Sequence, residues 1–169
     1  MAKTKEKKPI DTARVPGRRQ IRFASITDLA IEIDRIVAAE KAGRLGRVGN
    51  WTAGQIFGHL AKWIEMSYEG FPFRVPGLVR FFARMSKRRL LRDGLKPGMN
   101  LPKSALSKIG EYPDMPVEDG ALRFKKALAR LKAGEIPPHE SPAFGKLTLD
   151  EWVQLHLRHA ELHLSFLHP

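Results

Sequence analysis

LTLDEWVQLHLRHAELHLSFL, residues 147–167, is the stretch from which the fold of this chain can be inferred. Its apolar residues recur every three or four positions, which predicts one amphipathic helix. Thr148 and Glu151 have the spacing of a capping box, so we expect the helix to begin there. Asp150, Gln154, Arg158 and Glu161 share the side that should face water. The side that should face the core carries Trp152, Leu155, His159, Leu162, His163 and Phe166.

Three other segments carry the same helical signals. One begins at Ser25 and should end before Gly43, a second is predicted over Thr52–Glu69, and a third over Val117–Ala133. Residues 70–116 form a long connection interrupted by prolines, and no stretch of the chain alternates as a strand would. The sequence therefore predicts an all-α fold, a four-helix bundle with a long crossover between helices two and three.

The crossover should contain an extra helix over Leu78–Arg92. Phe81, Phe82 and Met85 would share one side of it, and six arginines and lysines make it strongly basic. One interpretation is a helix that binds nucleic acid or phosphate. The other, which the lack of any accompanying nucleic-acid-binding motif favours, is an amphipathic cover for the bundle whose long cations stay in water.

The charge and length of the chain limit its organisation and partners. With 169 residues we expect one domain over residues 21–169, preceded by a flexible basic tail over residues 1–20. The net charge of +12 is compatible with anionic partners, and the absence of cysteine excludes thiolate metal sites and disulfides. No apolar run approaches the roughly 20 residues that span a bilayer, so we expect a cytoplasmic protein without a membrane partner.

Histidines on the predicted core-facing side of the last helix are the main indication of chemistry. His159 and His163 are four residues apart, so both imidazoles could bind one cation, and His59 on the second helix could supply a third nitrogen. The pair His156 and His159 is an alternative, and simple packing of three interior histidines is another. His139 should lie in an exposed loop, and His168 at a frayed end. Spacing alone does not decide between a metal site and packing.

A resemblance to a known family favours the metal site. The run Trp51-Thr-Ala-Gly-Gln-Ile-Phe-Gly-His59-Leu60, the dipeptide Glu151-Trp152 and the run His159-Ala-Glu-Leu-His163-Leu resemble the DinB-like superfamily. The opening Arg18-Arg-Gln-Ile-Arg-Phe23 is similar to an uncharacterised branch of it. The resemblance implies a four-helix bundle with a long crossover. It also implies a divalent metal, zinc, nickel or a similar ion, held by His59, His159 and His163.

These observations lead to one main functional hypothesis. We expect a metal-dependent enzyme of thiol-transfer or hydrolase type, acting on a small molecule, which the resemblance suggests is a low-molecular-weight thiol. No general base can be identified, and Trp63 and Trp152 could form pocket walls or plain core. The alternatives are a polyanion-binding module acting through residues 78–92, for which nucleic acid is the weaker candidate partner, and a degenerate bundle without activity. A homodimer is an open option.

Overall fold

Five helices account for most of residues 10–98 and 113–169, which are the residues that this computed structural model describes. Two short strands, β1 (Gly46–Arg47) and β2 (Leu167–His168), pair antiparallel beside them. The predicted all-α fold is confirmed. The helices are α1 (Ile26–Lys41), α2 (Ala53–Glu69), α3 (Gly77–Asp93), α4 (Val117–Lys132) and α5 (Leu149–Leu164).

Four of these helices, α1, α2, α4 and α5, enclose one hydrophobic core, whereas α3 belongs to the connection between α2 and α4. The largest fully buried side chains come from α1, α2, α4, α5 and the segment after α5. This arrangement is the predicted bundle with a crossover and an extra helix. Residues 99–112 of the predicted crossover lie outside the described residues. None of the described helices is long and apolar enough to cross a membrane.

Among the described helices, α2 and α4 make the most extensive contact. A Cβ atom added to Gly120 of α4 would lie 2.9 Å from the Gly54 carbonyl oxygen of α2. One added to Gly54 would lie 2.0 Å from the carbonyl oxygen of Met115, immediately before α4. Real Cβ atoms do not approach so closely, so both positions need glycine for α2 and α4 to pack at this distance.

Side chains at the N-termini of α1, α2 and α5 fix where these helices begin. Ser25 accepts a hydrogen bond from Asp28 N. Thr52 pairs with Gln55, and Thr148 with Glu151, in the two predicted capping boxes. Each box satisfies two backbone N–H groups that a helix end would otherwise leave without partners.

The end of the chain differs from its prediction. His168 is not frayed, because β2 pairs with β1 in the register Gly46↔His168 and Arg47↔Leu167, and Leu167 is fully buried. Two paired residues are too few to produce an alternating pattern, so these strands could not be predicted. The pairing holds the segment after α5 against the loop between α1 and α2.

The predicted water-facing side of α5 is also partly wrong. Arg158 and Glu161 are only 5% and 8% exposed, because residues 18–23, which we call the strap, run across them. Phe23 N donates to Glu161 Oε1 (2.7 Å), and Arg158 Nη2 donates to the Phe23 carbonyl (2.8 Å). Helical periodicity describes one element and cannot show which segment covers it. Residues 1–9 of the predicted tail lie outside the described residues, and the domain boundary at residue 20 stays a prediction.

Candidate metal centre

The structure brings together the three histidines that the sequence selected. His59 lies on α2, and His159 and His163 lie one turn apart on α5. His159 Nε2 is 3.1 Å from His59 Nε2 and 3.1 Å from His163 Nε2. One ligand nitrogen from each residue lies within 4.8 Å of the others, so the cluster could hold a metal ion. That it does so stays a prediction.

The spacing of the three nitrogens suits a small cation. Ligand nitrogens at about 2.0–2.1 Å from a tetrahedral ion are separated from one another by about 3.3–3.4 Å. The two 3.1 Å separations lie close to that value. In a neutral imidazole, Nε2 carries either one proton or one lone pair, so it can make only one in-plane hydrogen bond. His159 Nε2 faces two ring nitrogens, an arrangement that one shared cation satisfies better than hydrogen bonds do.

Burial also favours the protonation state that a metal needs. It lowers the pKa of His159 to about 4 and the pKa of His59 and His163 well below the usual histidine range. Neighbouring groups add smaller decreases, from the other two histidines for His59 and from His159 and Arg18 for His163. All three rings are therefore neutral at pH 7, with lone pairs available for coordination.

Two tryptophan rings flank the histidine cluster. Trp51 stacks on His163, with ring centroids 5.4 Å apart, and also contacts His59 at 4.9 Å. Trp63 meets His159 edge-on at 5.4 Å, so it forms a wall of the site. Trp152 instead lies in the core, 1% exposed. The contact of Trp51 with the cluster was not predicted, because Trp51 precedes α2, where helical periodicity gives no information.

His156 does not join the cluster. Its ring stacks on Trp152, with centroids 5.6 Å apart, and burial, followed by the charge on His159, lowers its pKa to about 3. Among the described residues, His156 Nε2 has no hydrogen-bond partner. The alternative pair of His156 and His159 therefore finds no support in the geometry. His139 lies exposed in the loop before α5, as predicted.

Arg18 of the strap stands beside the cluster. Its guanidinium donates to Ser165 Oγ (2.7 and 3.0 Å) and to the Leu162 carbonyl (3.3 Å), and it lies 4.6 Å from the centroid of the Phe166 ring. Burial lowers the pKa of Arg18. Among the described residues, its hydrogen-bond acceptors are a hydroxyl and a carbonyl group, not a carboxylate. The sequence placed this residue in a flexible tail and so missed it.

A cavity of about 550 Å³ opens beside Arg18, between the strap, α5 and the end of α3. Its lining carries more positive than negative side chains, because Asp93 and Glu161 are the acidic members of a wall with four arginines. The four arginines of this wall are Arg18, Arg19, Arg22 and Arg158. The cavity borders the face of α5 next to the one that carries His159 and His163.

Comparison with known proteins gives a family but no activity. A family model described as "Protein of unknown function (DUF1569)" matches residues 16–169. The match includes the strap, the five described helices and the three clustered histidines. No curated protein and no solved structure gives a significant match to the chain.

Proposed function

We propose that this chain, which belongs to the DUF1569 family of proteins of unknown function, binds one divalent metal ion through His59, His159 and His163 and acts as a metal-dependent enzyme. The observation that carries the proposal is the convergence of three neutral ring nitrogens from two helices. The DinB-like resemblance of the sequence supports the same three ligands. Imidazole ligands suit zinc, nickel and similar ions.

The proposed reaction is transfer of a low-molecular-weight thiol, or hydrolysis. Three protein ligands leave coordination positions open, and a bound cation supplies Lewis-acid activation of a thiol or of water. In this proposal Trp51 and Trp63, whose rings contact the cluster, would limit the access of water from two sides. Arg18, whose hydrogen-bond acceptors among the described residues are a hydroxyl and a carbonyl group, would bind an anionic group of the substrate.

The alternative of a polyanion-binding module is less well supported. The first half of α3 exposes large apolar side chains beside its cations, with Phe81 and Phe82 each 58% exposed, which a surface for nucleic acid alone would not need. Lys87 of α3 already pairs with Glu151 of α5 (2.5 Å), and Arg92 with Asp93. The other alternative, a degenerate bundle, would keep the fold and have no activity. A cytoplasmic location and a homodimer stay predictions.

Metal analysis of untagged protein tests the proposal. After incubation with zinc or nickel and removal of the free ion, the unmodified chain should retain about one equivalent, and His59→Ala and His163→Ala should retain little. His139→Ala is the matched control, because it removes an exposed imidazole outside the cluster. An unmodified chain that binds neither ion, or a His163→Ala variant that keeps a full equivalent, would overturn the proposal.

A further inference from the structure

The first half of α3 presents an apolar surface to solvent. Its large apolar side chains recur at the spacing of one helix face, and each remains more than half exposed. No comparable group of exposed apolar side chains occurs on another helix among the described residues. The members of this apolar face are Leu78 (71%), Phe81 (58%), Phe82 (58%) and Met85 (70%).

The orientation of α3 is the reverse of that expected for a helix on a globular protein. Such helices bury their apolar side and expose their charges. Here Leu91 is the buried residue of α3, and charged side chains attach the helix to the rest of the chain. Lys87 pairs with Glu151 (2.5 Å), and Arg80 with Glu140 (4.0 Å). Both cations lie on the side of α3 away from Phe81, Phe82 and Met85, so the apolar face points outward.

Positive charge borders the apolar face. Arg74, Arg84 and Arg88 are exposed on or just before α3, and Asp93 at its end is its one acidic residue. A second copy of this chain, docked through the same face, would bring two basic borders together at a net charge of +12 on each chain. A surface that is apolar within and anionic at its edge would complement both features.

We propose that α3 is a peripheral membrane-binding helix that lies on an anionic lipid bilayer. The apolar face would enter the boundary between headgroups and acyl chains, and the bordering arginines would contact lipid phosphates. Basic helices with aromatic and aliphatic residues on one face bind membranes in this way. The proposal revises the expectation that the chain has no membrane partner, which rested only on the length needed to span a bilayer.

Vesicle flotation tests the proposal on the full chain. The unmodified protein should bind vesicles of phosphatidylcholine and phosphatidylglycerol at least tenfold more tightly than vesicles of phosphatidylcholine alone, and less tightly as salt is raised. The double variant Phe81→Ser/Phe82→Ser should lose at least tenfold in affinity. The matched control, Ile31→Ser/Ile136→Ser, removes two side chains that are as exposed (64% and 67%) but lie elsewhere, and should change binding less than twofold.

Three results would overturn the proposal. The first is no binding to anionic vesicles at low salt. The second is equal binding by the unmodified protein and the Phe81→Ser/Phe82→Ser variant, with both shown to be folded by circular dichroism. The third is a dimer, seen by light scattering, that dissociates in this variant while no vesicle binding occurs, which would assign the apolar face to a second copy of the chain.

Discussion

His156 shows how burial determines the charge of a single residue in this protein. The side chain is 5% exposed against Trp152, and its pKa is lowered to about 3. The folded chain therefore holds this ring neutral at pH values where the unfolded chain, with an ordinary histidine pKa of about 6.5, would protonate it. The residue contributes to the packing of α5 at neutral pH and opposes folding in acid.

We therefore predict that His156 makes the stability of the metal-free protein depend on pH. Between about pH 6.5 and pH 3 only the unfolded chain takes up this proton, so stability decreases as pH falls through that window. From pH 7.0 to pH 5.5 the unmodified protein should lose about 1 kcal/mol more than His156→Leu. Urea unfolding with a chelator present measures the difference, and identical pH dependence of the two proteins would contradict the prediction.

At the scale of single residues, the sequence predicted which three histidines lie together but not which other side chains lie beside them. The four-residue spacing of His159 and His163 is a property of one helix, so it was visible, and His59 followed from its place on a core-facing border and from the family resemblance. Trp51 contacts the cluster, and Arg18 contacts α5 beside it, from segments without regular structure. Their positions depend on tertiary packing, for which the sequence has no periodic signal.

At the scale of the helices, α2 and α4 can pack closely because glycine occupies two positions at their contact. Gly54 and Gly120 allow backbone atoms of the two segments to meet, and Phe57 and Phe124 stack beside them with centroids 6.1 Å apart. Since α2 carries His59, the position of one proposed ligand depends on this contact.

Adding a methyl group at this contact should destabilise the bundle. Gly54→Ala and Gly120→Ala should each lower the free energy of unfolding by about 1–3 kcal/mol, because backbone oxygens must move to admit the Cβ atom. Gly77→Ala in α3 is the control, since its Cβ would have no atom within 4 Å, and should cost less than about 0.5 kcal/mol or stabilise. Chemical denaturation measures all three, and equal effects would disprove the explanation.

Glu161 of α5 forms a buried ion pair with Arg158 of the same helix and also contacts the strap. Arg158 and Glu161 are 3.3 Å apart, with side chains 5% and 9% exposed, and Arg22 also pairs with Glu161 (3.2 Å). Removing one partner of such a pair leaves a buried charge without compensation. The packing of the strap on α5 therefore depends on the carboxylate of Glu161.

Glu161→Ala should reduce the free energy of unfolding by about 3 kcal/mol or more. Glu140→Ala, which removes the exposed partner of Arg80 at 4.0 Å, should change it by less than about 0.5 kcal/mol. Thermal or urea unfolding distinguishes the two variants. A small loss for Glu161→Ala would mean that water compensates Arg158.

Capping boxes and periodicity were enough to predict these helices, because both signals are local. The extent of burial was not predictable in the same way. Arg158 and Glu161 have polar side chains on what looked like a solvent face, and α3 has apolar side chains on what looked like a buried one. In both cases burial depends on whether another described segment packs against that face.

For the whole molecule, the histidine cluster connects α2 to α5 across about one hundred residues of chain. A ligand that binds only the folded state stabilises it by mass action. A bound ion would therefore act as a crosslink within the bundle as well as a reaction centre. The proposed metal thus has a consequence that can be measured without knowing the substrate.

Zinc or nickel at one hundred times its dissociation constant should stabilise the chain by about 2.7 kcal/mol. For a protein of 169 residues this corresponds to an increase in Tm of about 5–10 °C. His163→Ala should show no increase, whereas His139→Ala should respond as the unmodified chain does. An equal increase in all three proteins would indicate binding outside the cluster.

Trp51 stacks on His163 and Trp63 contacts His159, so the intrinsic tryptophan fluorescence of the protein should respond to a metal ion bound at the cluster. Two of its three tryptophans lie within about 6 Å of the proposed ligands, so their emission reports directly on occupancy. An ion with an open d shell, such as nickel, should quench this fluorescence, whereas zinc, with a filled shell, should mainly shift it. Titration of unlabelled protein with each ion would therefore distinguish nickel from zinc at the cluster by the change in fluorescence.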